Sequence, residues 1–222
     1  MRRVTLFLSF CCFFSLLSQK TTAQVGINLG YQINQTDGWR AGESLNSVMD
    51  NGYKIGIDYW FRLKNKRIEF TPELSYAFYE STPSPNIFDF KVEFFSFQFN
   101  TNIYLLDLLN DCNCPTFSKQ NDFFQKGFFV RIAPGVTVTR FTNNNEEGMR
   151  KNQFGNFEPM LGMGAGLDIG LSDLVTITPL FTANYILDAK WKGTQTLRIN
   201  EGSTDLWQFT PTIRLGLRFD NY

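Results

Sequence analysis

Apolar and polar residues alternate in one stretch after another, and the last stretch shows the pattern most clearly. Residues 206–219 read LWQFTPTIRLGLRF, with Trp207, Phe209, Pro211, Ile213, Leu215, Leu217 and Phe219 on one parity. Gln208, Thr210, Thr212, Arg214, Gly216 and Arg218 fall on the other. A strand sends alternate side chains to opposite faces, so this pattern predicts a strand with one apolar and one polar face. The same reading predicts strands over 24–33, 52–63, 67–79, 90–105, 128–138, 157–171 and 175–185. In the fourth, Lys91 and Glu93 share the parity of Phe95, Phe97 and Phe99. Either they stand above a membrane, or a bulge switches the faces before Phe95.

The connections also alternate. Polar loops fall at 34–50, 80–89, 142–155 and 186–205, and short turns at Lys64-Asn65-Lys66 and Ser172-Asp173. A longer connection, 106–126, carries Cys112-Asn113-Cys114-Pro115. An even number of long strands, short turns on one rim and long loops on the other predict an all-β chain. The expected form is an eight-stranded antiparallel transmembrane β-barrel of the outer-membrane type. Closure satisfies every backbone group inside lipid, which an open sheet cannot do. A soluble β-sandwich or a lipocalin-like barrel also alternates, but its strands are shorter.

Before the first strand, Arg2 and Arg3 precede an apolar run to Leu17, and Thr21-Thr22-Ala23 offers small residues for cleavage. This predicts a signal peptide over 1–23 and a barrel domain over 24–222, placed in the cell outer membrane. Outer-membrane lipid is then the first partner. No later stretch is apolar for long enough to be a membrane helix.

Composition narrows the chemistry. The chain of 222 residues has 21 Lys plus Arg against 21 Asp plus Glu, so no net charge favours nucleic acid. It has no histidine, which removes the commonest general base and metal ligand. No serine or cysteine sits in a nucleophile motif, so neither an enzyme nor a cofactor is expected.

If the apolar faces meet lipid, the lumen receives Lys54, Asp58, Arg62, Arg67, Glu69, Glu73, Arg131, Glu158, Asp168, Arg214 and Arg218. Eight strands leave room only for side chains, so these charges are expected to pair and fill the lumen. A polar conduit or solute site is the other reading. Gly162, Gly164, Gly166 and Gly170 would leave room for the longer arginines opposite. Cys112 and Cys114 form a strained disulfide, or free thiols that tether a loop. In the same connection Phe117, Phe123 and Phe124 either dock a partner or cover the lower rim. The aromatic end of the closing strand fits the signal read by barrel-assembly machinery, with Phe219 as its anchor.

The Ala23-Gln24 junction, the first strand QVGINLGYQIN, the glycine-rich GMGAGLDIGL and the closing LGLRF resemble the PorT-like outer-membrane β-barrel family of Bacteroidota. The resemblance implies an eight-stranded barrel over the mature chain. It also implies a link to type IX protein secretion, which the founding member serves. The functional expectation is a non-enzymatic accessory or scaffold subunit of an envelope complex, touching other envelope or secretion proteins. The alternative is a small channel or solute-binding barrel.

Overall fold

A computed structural model describes residues 24–35, 51–62, 67–81, 90–107, 127–144, 150–172, 174–191 and 202–218. The strands are β1 (Gln24–Gln35), β2 (Gly52–Arg62), β3 (Ile68–Ser81), β4 (Phe90–Ile103), β5 (Phe128–Asn144), β6 (Arg150–Leu167), β7 (Ile169–Gly170), β8 (Val175–Trp191) and β9 (Gly202–Arg218). The two-residue β7 continues β6 in the same register against β8, so the wall has eight staves.

Every neighbouring pair is antiparallel. The order runs β6-β5-β4-β3-β2-β1-β9-β8, and β8 pairs back onto β6 to close the ring. The first and last strands lie side by side from Gln24↔Arg218 to Gln35↔Trp207. Closure leaves no strand edge with unpaired backbone groups.

The turn end, where β1 begins and β9 ends, is fastened locally. The Ser172 hydroxyl accepts from the amides of Leu174 (3.3 Å) and Val175 (3.1 Å). The Val175 carbonyl accepts from Leu171 (3.0 Å) and Ser172 (3.2 Å). A serine that binds the backbone two and three residues ahead sets a tight turn without glycine. After β4 the chain makes one short 3₁₀ turn, Leu105–Asp107, and Leu105 leaves the strand expected to contain it.

The opposite, loop end departs from the sequence expectation. Residues 142–155 and 186–205 read as loops, yet β5 and β6 pair as far as Asn144↔Arg150, and β8 and β9 as far as Trp191↔Gly202. Each extension begins at a register shift, between Val138 and Arg140 in one hairpin and between Ile186 and Ala189 in the other. A bulge adds one residue and exchanges the faces beyond it, so a fixed parity count loses the strand there. At the second bulge Asp188 takes a left-handed φ of 51°. The Asp205 carboxylate holds that turn, accepting from the Asp188 amide (3.1 Å) and from the Tyr185 hydroxyl.

β4 itself carries no bulge. It pairs with β3 without interruption from Ile68↔Ile103 to Ser81↔Phe90. Lys91 and Glu93 keep the outward parity of Phe95, and Val92 and Phe94 point into the lumen and are buried.

Candidate functional site

The outer and inner faces are the two surfaces that can act. Outside, Ile27, Leu29, Ile55, Ile57, Leu74, Ile132, Leu161, Met163 and Ile213 are exposed around the wall. Aromatic rings mark both margins of this band. Toward the turn end, Phe61 lies 5.2 Å from Phe70, and Phe70 lies 5.5 Å from Phe99. Toward the loop end the chain of rings is Tyr31–Tyr53 (5.5 Å), Tyr53–Phe78 (5.8 Å) and Tyr76–Phe95 (5.0 Å), with Tyr185–Trp207 (4.8 Å) farther round. An apolar belt between two aromatic girdles is what a bilayer demands of a barrel. The fold is that of an outer-membrane barrel.

Comparison with known proteins agrees. No family model matches the chain, and no curated protein matches it by sequence. Among solved structures the outer-membrane barrel is similar to Neisserial surface protein A, at 13% identity over 90% of this chain and 98% of that one, with a TM-score of 0.51. Ail of Yersinia pestis gives 10% identity, 90% and 100% coverage and a TM-score of 0.49. OprG of Pseudomonas aeruginosa gives 12%, 89%, 97% and 0.43. At these identities the likeness is one of fold.

Inside the outer-membrane barrel, the residues of the polar parity come together. Lys54, Asp58, Arg67, Glu69, Glu73, Arg131, Glu158, Asp168 and Arg214 are all buried in the lumen. Arg62 and Arg218 lie on strands, and their side chains fall outside the described set. Arg214 grips Asp58 with two nitrogens, Nε at 2.7 Å and Nη2 at 2.6 Å. This bidentate pair spans from β9 to β2 across β1. It passes over Gly26, where a Cβ would come within 2.5 Å of Asp58 and 2.6 Å of Arg214. Asn28 donates to the same carboxylate at 2.9 Å.

A second chain of contacts runs through the middle. Lys54 Nζ meets Glu73 at 2.6 Å, and Asn100 donates to the other Glu73 oxygen at 3.1 Å. Lys54 also reaches Gln98 (3.5 Å), and Gln98 donates to Asn184 on the far wall at 2.9 Å. Arg131 donates to Asn102 at 2.8 Å, and Thr139 donates to Glu158 at 2.9 Å.

The β6 glycines serve this packing differently from the expectation. Gly162 makes room for Asn184 and Gln98, and Gly166 for the Phe129 ring; neither faces an arginine. Room for an arginine comes instead from Gly26 and Gly216, both against Arg214.

At the turn end the hub is Tyr104, which sequence reasoning missed. Its hydroxyl reaches Glu69 at 2.6 Å and also Asp168. Trp60 Nε1 donates to Glu69 at 2.7 Å, and the Thr178 hydroxyl donates to Asp168. The Arg67 guanidinium stacks 4.6 Å above the Tyr104 ring. Beside this cluster lies a cavity of about 20 Å³, lined by Thr71, Arg131 and Arg214 among others. That is space for one water and no more.

At the loop end the lumen turns apolar. Ala77, Tyr79, Val92, Phe94, Met160, Ile186, Ala189 and Leu206 form one buried cluster from β3, β4, β6, β8 and β9. Tyr79 meets Phe94 edge-on at 5.4 Å. Its hydroxyl donates to Gln32 and accepts from Gln208 at 3.3 Å, joining the cluster to the polar layer below. The available signal was parity: Val92 and Phe94 share the face of Gln98, and Leu206 that of Gln208.

Among the described residues no three potential ligands come together as a metal site. No described helix is long and apolar enough to cross a membrane, which says nothing of a barrel. Cys112, Cys114, Phe117, Phe123, Phe124, Phe219 and the signal segment 1–23 lie outside the described residues.

Proposed function

We propose that this outer-membrane barrel is a non-enzymatic accessory or scaffold subunit of an envelope complex. Type IX protein secretion is the process to which the PorT-like resemblance points. The observation that carries the reading is the filled lumen. Side chains from opposite walls meet at a charged level, Lys54–Gln98–Asn184, and again at an apolar level. A barrel blocked twice along its axis has its outer wall and its two rims left for work.

The turn rim supplies a suitable contact surface. Leu105, Leu106, Leu171 and Leu174 are all exposed there, beside the ends of the 106–126 connection. Exposed apolar residues gathered on a rim mark a docking surface.

Purification from native membranes should yield stoichiometric envelope partners. Deleting residues 113–125 should release them while the barrel stays folded and heat-modifiable on gels. Recovery of the intact protein alone would sink the scaffold reading. Planar-bilayer recording addresses the channel alternative: the folded protein should show no conductance, and steady single-channel steps would favour the conduit instead. Assembly is proposed to run through the barrel-assembly machinery, so Phe219→Ala should slow insertion more than loss of Tyr222.

A further inference from the structure

The lipid-facing wall is not uniformly convex. Across β2 to β6 it holds an open apolar groove of about 560 Å³, a size usual for ligand sites. Leu74, Phe97 and Val136 line its centre, and Tyr76 and Phe95 stand at its loop-ward side. Gly56, Ser75 and Ser96 alternate with such outward residues and face the lumen, so backbone alone forms the floor between the rows. Phe157 is the far wall. The register shift just loop-ward of it, between Val138 and Arg140, leaves Phe157 79% exposed.

A charged cluster lies one step loop-ward of this groove. Lys91 Nζ and Arg140 Nε each lie 3.4 Å from Glu93, one on each carboxylate oxygen. Tyr76, a groove residue, donates its hydroxyl to Glu93 at 2.6 Å. Lys91 and Arg140 remain partly open to solvent, with side chains 41% and 31% exposed. Glu93 between them makes the cluster mixed in sign. It offers two cations at a fixed place, which is local recognition and not a broad positive field. The aromatic girdle passes through the same level, where lipid headgroups lie.

We propose that this groove and cluster form a binding site for one phosphate-bearing lipid of the loop-side leaflet. An acyl chain lies along Leu74, Phe97 and Val136, and the phosphate sits on Lys91 and Arg140. The apolar groove selects hydrocarbon. The two cations select phosphate, arginine by its planar fork and lysine as a point charge. Glu93 positions both cations and also repels the anion, so it tunes affinity downward.

The test is native mass spectrometry of the full-length protein from micelles holding equal amounts of phosphatidylglycerol and diacylglycerol. The wild type should retain phosphatidylglycerol and shed diacylglycerol. The K91Q/R140Q variant should lose retention by about tenfold, the scale expected for charge-assisted hydrogen bonds. Leu74→Trp, which fills the groove from its centre, should lose retention with both cations intact. Glu93→Gln should retain phosphatidylglycerol at least as well as the wild type, whereas a merely structural cluster would weaken with any of its members. Heat-modifiability on gels confirms that each variant is folded. Equal retention of the two lipids, unchanged retention by K91Q/R140Q, or a loss in Glu93→Gln equal to that of the double variant would overturn the proposal.

Discussion

In the bilayer band, Ile57 and Ile213 face out while Asp58 and Arg214 are buried inside. Toward the loop end, Lys91, Glu93, Asp188 and Asp205 face out while Phe94, Ile186 and Leu206 are buried inside. β4, β8 and β9 therefore each carry two opposite polarity codes along their length. The lower one suits a wall surrounded by hydrocarbon, and the upper one suits a barrel surrounded by water. Strand chemistry does not choose between them; the solvent at each level does. The exchange needs no change of hand or register on β4, only a change of which parity is apolar. On β8 it is accompanied by a bulge that brings Ala189 inward.

The contrast can be broken hardest at the charged level. Arg214→Met leaves Asp58 buried without its bidentate partner, which should cost about 3–5 kcal/mol. Urea unfolding in phospholipid vesicles, followed by tryptophan fluorescence, measures this. The Arg214→Met, Asp58→Leu double variant should recover much of the loss, because the uncompensated charge is gone.

The next test places one change at two levels. Ile57→Lys puts a cation in the lipid-facing band and should cost about 2–4 kcal/mol. Leu187→Lys puts the same cation on the outer face beyond the bilayer and should stay within about 0.5 kcal/mol of wild type. Equal costs would mean that the loop-end wall is also bathed in hydrocarbon.

The smallest effect concerns pH. The Tyr185 hydroxyl, and after it the Asp188 amide, hold the Asp205 carboxyl below its ordinary pKa of 3.8. A lowered folded-state pKa means that the contact contributes fully above the ordinary value and fades as the pH falls through the lowered one. Protection of the Asp188 amide, after correction for the intrinsic pH dependence of exchange, should therefore fall below the usual carboxylate range, and Asp205→Asn should remove that loss of protection while the barrel remains folded.

Much of this was legible in the alternation itself. Strand number, closure and the buried set from Lys54 to Arg214 need only a count of two. What escaped the count has a physical cause in each case. The loop-end hairpins vanish because bulges at Val138/Arg140 and Ile186/Ala189 reset the parity. The Tyr104 hub is invisible because it joins Glu69 and Asp168, 35 and 64 residues away. The apolar cluster escaped for another reason: Val92, Phe94 and Leu206 have the parity of the polar face, and only a second polarity code makes sense of them.

The extended β8–β9 hairpin also sets how the loops meet their surroundings. From Ile186 to Trp191, at about 3.3 Å per residue and a tilt of about 40°, the wall climbs roughly 12 Å. The Debye length at physiological ionic strength is about 8 Å. An approaching molecule at that rim is thus screened from the phosphates of the membrane below. The field of the lipid there is reduced to a minor share, so the rim's own charges weigh most on what approaches it.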